Sequence, residues 1–201
     1  FANLKLTGAT ASYTITYSAT GLTATSQSIT LNAGAAAKLT LIQNALGAAS
    51  RVAFATQPIV EIQDASGNRV PGTTNSITVS SSGATLGGDV TMAAVDGTAT
   101  FSGNPNGLKL SGTIGTYTLT YAATGLTSAT QQITLTFGAP TQLIVQTAAA
   151  SARAGIDFGA QPVIRVADAD GNTITSGAGS DLNIRAASSD GTLSGTTTVQ
   201  A

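Results

Sequence analysis

The chain has 201 residues, a net charge of −1, 8% charged side chains, 42% hydrophobic residues and 4% aromatic residues. So few cations exclude a phosphate-binding stripe for nucleic acid and a polybasic patch for a membrane surface, and no apolar run approaches the length of a membrane span. There is no cysteine and no histidine, which excludes disulfides, thiolate metal sites and Ser-His-Asp or Cys-His catalysis within the chain.

Residues 1–33 carry Leu4-Lys5-Leu6, a turn containing Gly8, Tyr13-Thr-Ile-Thr-Tyr17, a Thr-Gly-Leu turn at 20–22, and Ser28-Ile-Thr-Leu31. Apolar and polar residues alternate in the last two runs, which is the period of a strand with one buried face. The segment reads as the final three strands of a β-domain. Phe1 is not an initiator methionine, so the N-terminus is expected to come from processing or from a boundary within a longer chain.

Residues 34–137 read as one complete unit. A first strand is expected over 38–43 (KLTLIQ), then a small-residue connector over 44–56, then a strand over 57–63 (QPIVEIQ). Pro58 suits a strand entry, where no ladder donor is needed. Residues 64–68 (DASGN) form a turn, because Asp bonds the backbone ahead of it and Gly or Asn accepts positive φ. Short strands follow at 76–80, 90–94 and 98–101. Then comes LKLSGTIGTYTLTYAATGLTSATQQITLTF over 108–137.

That last stretch repeats the opening of the chain. Between 4–31 and 108–135, 17 of 28 positions are identical at a constant offset of 104, so the sequence contains an internal repeat. Residues 138–201 start the pattern again: QLIVQT at 142–147 matches the first strand, FGAQP at 158–162 matches FATQP at 54–58, and DADGN at 168–172 matches 64–68. No window combines helical periodicity with caps. Short strands every 8–12 residues with turns between them indicate a β-sandwich. The fold class is all-β, with one complete unit (34–137) and two partial ones (1–33 and 138–201). Tyr117, Leu119, Tyr121, Val60, Ile62, Leu39, Leu41, Ile133 and Leu135 are the expected core.

The run Gly115-Thr-Tyr-Thr-Leu119 resembles the start of strand F in immunoglobulin-like domains, where a Gly precedes the tyrosine-corner Tyr. With QPIVEIQDASGNRV and GTATF it is similar to the bacterial immunoglobulin-like repeats of large surface proteins and adhesins. Leu119 and Ile15 stand where an antibody domain has its second cysteine. The resemblance covers essentially the whole chain. It implies tandem immunoglobulin-like β-sandwiches, extracellular or at a bacterial cell surface, serving as a structural stalk or filament. The alternative function is an adhesin module that binds a glycan or protein receptor through loops at the domain ends.

Candidate sites are sparse, and no enzymatic activity is expected. Glu61 is the sole glutamate, and Asp96-Gly-Thr and Asp190-Gly-Thr read as turns. Asp64, Asn68, Asp168, Asp170 and Asn172 are turn residues in their usual places. As an alternative, Asp168-x-Asp170-Gly-x resembles the start of a calcium loop, with calcium as the one conceivable cofactor. Lys5 and Lys109 raise the isopeptide crosslinks found in some bacterial surface proteins, but alternation places both opposite the leucines and in solvent. Tyr13, Tyr17, Tyr117 and Tyr121 share faces with core positions, which makes them core residues and not a sugar-stacking platform.

Residues 1–33 supply the last strands of a unit and 138–201 the first strands of one. Each alone exposes a core face and a sheet edge. The expected partner is therefore a copy of the same chain, or further repeats of it, docked end to end to build a composite sandwich. Two forms stay open: a window of a longer tandem array, and a filament of subunits that complete one another.

Overall fold

The computed structural model describes residues 1–102 and 106–201 and is all-β, with no helix among the described residues. β1 (Ala11–Tyr17) and β2 (Thr25–Leu31) form an antiparallel hairpin. β3 (Ala36–Gln43) is followed by the two-residue β4 (Ala48–Ala49) and by β5 (Ile59–Asp64). Next come β6 (Ser76–Ser81), β7 (Thr85–Gly87), β8 (Thr91–Ala93), β9 (Thr98–Thr100) and β10 (Lys109–Ser111). β11 (Gly115–Ala122) and β12 (Ala129–Thr136) are the long pair of the repeat stretch. β13 (Gln142–Thr147) pairs with β14 (Val163–Ala167), and β15 (Asn183–Arg185) with β16 (Thr198–Gln200).

Two sheets face each other in the centre. One has the order β3-β5-β9, the other β4-β12-β11-β6-β8, and β7 pairs separately with β10. Strand alternation turns Leu39, Val60 and Ile62 inward from the first sheet, and Ile77, Val79, Leu119, Tyr121, Ile133 and Leu135 inward from the second; all are buried. This is a β-sandwich, a core sealed by the inner faces of two sheets. Phe54, Phe101, Leu108 and Leu110 close it, and the Phe101 ring meets Tyr121 edge-on at 6.1 Å. Burial pushes the Tyr121 phenol above its ordinary range, while its hydroxyl lies 3.3 Å from the Gln131 amide oxygen.

Seven of the nine expected core residues are buried; Leu41 and Tyr117 are half-buried. Leu41 sits where the β3–β5 register shifts, between Leu41 and Gln43. Tyr117 reaches the sandwich edge, where its hydroxyl donates to the Thr113 carbonyl at 2.6 Å. Tyr13 repeats this bond with the Ala9 carbonyl at 2.9 Å.

Three sequence expectations need correction. Leu4–Leu6 is not a strand: its counterpart β10 has β7 to pair with, whereas 4–6 has no partner strand among the described residues. The opening segment therefore holds two strands, not three. The 44–56 connector is not wholly irregular, because β4 lies parallel to β12. Strands β7, β15 and β16 had no signal strong enough to separate them from the turns around them. The strand expected over 98–101 and its neighbours are in place.

Outside the central sandwich much of the apolar surface is open, although Val166, Ala167 and Ile174 are buried. Ile29 is 41% exposed where its counterpart Ile133 is 6% exposed, and Leu143 is 57% exposed where Leu39 is 4% exposed. Tyr13, Ile15 and Tyr17 are half-buried, with Phe1 packed on Tyr17 at 5.4 Å between ring centroids.

Candidate functional site: the paired Asp-Gly-Asn joints

The turns at 64–68 and 168–172 are built alike, atom for atom. In the first, the Asn68 N–H donates to Asp64 Oδ1 at 2.9 Å, and the Asp64 N–H donates to the Asn68 carbonyl at 2.8 Å. In the second, the corresponding bonds from Asn172 to Asp168 and from Asp168 to Asn172 measure 2.9 and 3.0 Å. Gly67 and Gly171 take φ of 89° and 82°, the left-handed region where a side chain is strained. Asp, Gly and Asn are thus required by the turn itself.

The outward reach of these turns is what the sequence did not disclose. Asp64 Oδ2 accepts the Gly34 N–H at 2.8 Å, and Asp168 Oδ2 accepts the Gly138 N–H at 2.8 Å. Gly34 and Gly138 lie where the chain passes from one repeat to the next. Asn68 then reaches back across that passage: its Nδ2 donates to the Gly8 carbonyl at 2.9 Å, and its Oδ1 accepts the Thr10 N–H at 3.1 Å. Asn172 does the same with the Gly112 carbonyl at 2.9 Å and the Ile114 N–H at 3.0 Å. Each partner differs from its counterpart by 104 positions. The carboxylate ties down the linker, and the amide ties the following turn to the preceding loop with one donor and one acceptor.

Asp64, Asp168 and Asn172 are buried, and the bonds that the two carboxylates accept come from neutral amide and peptide groups. The Gly34 N–H, then the Asn68 side chain, hold the Asp64 carboxyl down at about 2. At Asp168 burial pushes upward, but the N–H of Gly138 and the amide and N–H of Asn172 outweigh it and keep the carboxyl below its ordinary value. Hydrogen bonds to the charged form favour that form.

At position 170 the two joints differ. Asp170 accepts from Arg51 Nε at 3.0 Å and Arg51 Nη2 at 2.6 Å, from the Gly112 N–H at 3.2 Å, and from the Ser50 hydroxyl. The Arg51 bond first, then the Ser50 bond, lowers its carboxyl to about 2. Ser66 stands at the matching place and is exposed.

The structure thus brings Asp168, Asp170 and Asn172 together, with Asp64 and Asn68 in an equivalent turn, but around protein donors. Among the described residues no three His, Cys, Asp or Glu side chains converge as metal ligands. Lys5 and Lys109 are exposed, and Tyr13 and Tyr117 bond backbone carbonyls. Sequence reasoning missed Ser50, Arg51, Gly8 and Gly112. The signal for the glycines was their 104-residue recurrence; Ser50 and Arg51 had none. Two open grooves of about 490 and 420 Å3 lie along the 44–56 connector, and among the described residues no ionisable side chain lines either.

The sequence matches no protein-family model and no curated protein. Solved structures with some likeness include a glycosyl hydrolase family 2 member from Bacteroides cellulosilyticus, at 19% identity and TM-score 0.41, covering 55% of this chain and 16% of that one. They also include domains 4–9 of the surface-layer protein SbsC, at 15% identity and TM-score 0.35, covering 89% of this chain and 27% of that one. InvD of Yersinia pseudotuberculosis is 19% identical with TM-score 0.38, covering 83% of this chain and 52% of its own. The chain therefore spans about half or less of each, and at these scores the architecture rests on the strand pairing and core described above.

Proposed function

We propose that the chain is a stretch of a structural array: immunoglobulin-like β-sandwiches of about 104 residues joined end to end, forming a bacterial stalk or filament outside the cell. The observation that carries the reading is the joint. The same Asp-Asn turn, linker glycine and preceding-loop carbonyl recur at a 104-residue spacing, as nearest-neighbour contacts do in a repeat protein. Tyrosine hydroxyls bonding four residues upstream and the parallel β4–β12 edge support the immunoglobulin-like type. The units are 1–33, 34–137 and 138–201. Copies of the chain, or further repeats of it, cover the open faces of the first and last. The function is mechanical: cores hold each unit, and the joints limit bending between them. No catalytic step and no cofactor enter this reading.

Small-angle scattering of the chain at several concentrations, beside a glycan and protein binding screen, tests it. The expected result is an extended particle, with Asn68→Ala and Asn172→Ala increasing its flexibility, and no saturable binding. A compact particle insensitive to both substitutions refutes the array. Saturable binding abolished by loop substitutions establishes the adhesin instead.

A further inference from the structure

The turn at Ser50 and Arg51 is built at a cost. Arg51 has φ of 66°, a left-handed conformation that disfavours any residue with a Cβ. Its counterpart 104 positions on is Gly155, with φ of 72°. The backbone at this place is thus one that glycine satisfies, and an arginine side chain is carried there against that preference. Strain of this kind points to a job for the side chain.

The job is visible in what the side chain meets. Arg51 presents two nitrogens to Asp170, and Ser50 and the Gly112 N–H complete the coordination of the same carboxylate. The Asp170 side chain is 11% exposed while that of Arg51 is 59% exposed, so the anion is enclosed and the cation that meets it stays largely in solvent. Both Arg51 nitrogens converge on Asp170 Oδ1 while Ser50 and the Gly112 N–H donate to Oδ2, so the carboxylate is held at both oxygens. The linker is also pressed into this corner: a Cβ on Gly138 would stand 2.5 Å from the Ser50 carbonyl oxygen.

We propose that Ser50, Arg51 and the Gly112 N–H form a receptor for an acidic side chain of the following unit, and that the residue at position 66 or 170 sets the joint. Aspartate at 170 locks it; serine at 66 offers no carboxylate to such a receptor, and that joint keeps the Asp64–Gly34 and Asn68–Gly8 bonds. This rests on the array reading above and adds to it a lock that depends on the residue at one turn position. A unit that follows a Ser50–Arg51 turn is then selected by carrying aspartate in its Asp-x-Asp-Gly-Asn turn.

The chain lacks cysteine, so cysteine pairs introduced at exposed positions can be spin-labelled without background. Ser80→Cys with Thr147→Cys spans the second joint, and Ser80→Cys with Thr14→Cys spans the first. Pulsed electron–electron distance measurements on the full chain are expected to show the Ser80–Thr147 distribution broadened at least about twofold by Asp170→Ser. The same substitution should leave the Ser80–Thr14 distribution unchanged. Arg51→Gly should widen the Ser80–Thr147 distribution too, without lowering the melting temperature of the central sandwich, because glycine suits the backbone there. That combination separates a lock from a structural support. A Ser80–Thr147 distribution unmoved by both substitutions overturns the proposal. Scattering of the unsubstituted chain reports failure of the array reading separately, since an extended particle is expected whether or not one joint is locked.

Discussion

Leu119 and Ile15 occupy the same place in two copies of one sequence repeat, and the structure gives them different surroundings. Leu119 is 0% exposed in β11, between Ser81 on β6 and Gln131 on β12. Ile15 lies in β1, paired only with β2, and is half-buried. Truncating Leu119 to alanine removes three buried carbons, worth about 2.4 kcal/mol at about 0.8 kcal/mol each, and the cavity left in a close-packed core raises the cost to about 2.5–5 kcal/mol. For a sandwich of this size that lowers the melting temperature by at least about 10 °C, at roughly 4–8 °C per kcal/mol. Ile15→Ala should cost about 1 kcal/mol or less in the isolated chain, as a change at a half-open face does. Calorimetry on dilute chains reads both. Once the face of β1 is covered by complementary strands, the Ile15→Ala cost should rise toward that of Leu119→Ala. Equal costs in dilute monomer, or a Leu119→Ala cost under about 0.5 kcal/mol, would refute the assignment of which faces are open.

The other predictions concern the joints. Asp64 is held at about 2 by the Gly34 N–H and then by Asn68, so its stabilising contribution is complete above about pH 4 and is lost as pH falls through about 2; urea midpoints should drop across that window, and Asp64→Asn should flatten the drop. Gly138→Ala places a Cβ 2.5 Å from the Ser50 carbonyl oxygen, whereas Gly34→Ala makes an ordinary 3.5 Å contact; limited proteolysis of the linkers should speed up for the first substitution and not for the second. Millimolar calcium should leave the melting temperature unchanged, because the turn carboxylates already accept protein donors; a rise of several degrees that Asp170→Ser abolishes would restore the calcium loop.

Alternation over Tyr13-Thr-Ile-Thr-Tyr17 and over Gly115–Ala122, together with turn residues at regular intervals, was enough to read an all-β chain, its repeat and most of its core. These are local properties: a strand with one buried face shows its period in the sequence itself. Turn chemistry was legible for the same reason, since Asp64, Gly67 and Asn68 satisfy a backbone conformation that depends on a handful of adjacent residues. Short strands such as Thr85–Gly87 and Ala48–Ala49 were not legible, because two or three residues carry no period and only their partners make them strands. Nor could the sequence say where the spare atoms of the turns go. Asn68 contacts Gly8 and Asn172 contacts Gly112 across 60 residues, and Asp170 contacts Arg51 across 119. Such bonds have no local signature; they exist only once the folded chain sets a distant loop against the turn. The turn was written in the sequence, and its use as a joint was decided by tertiary structure.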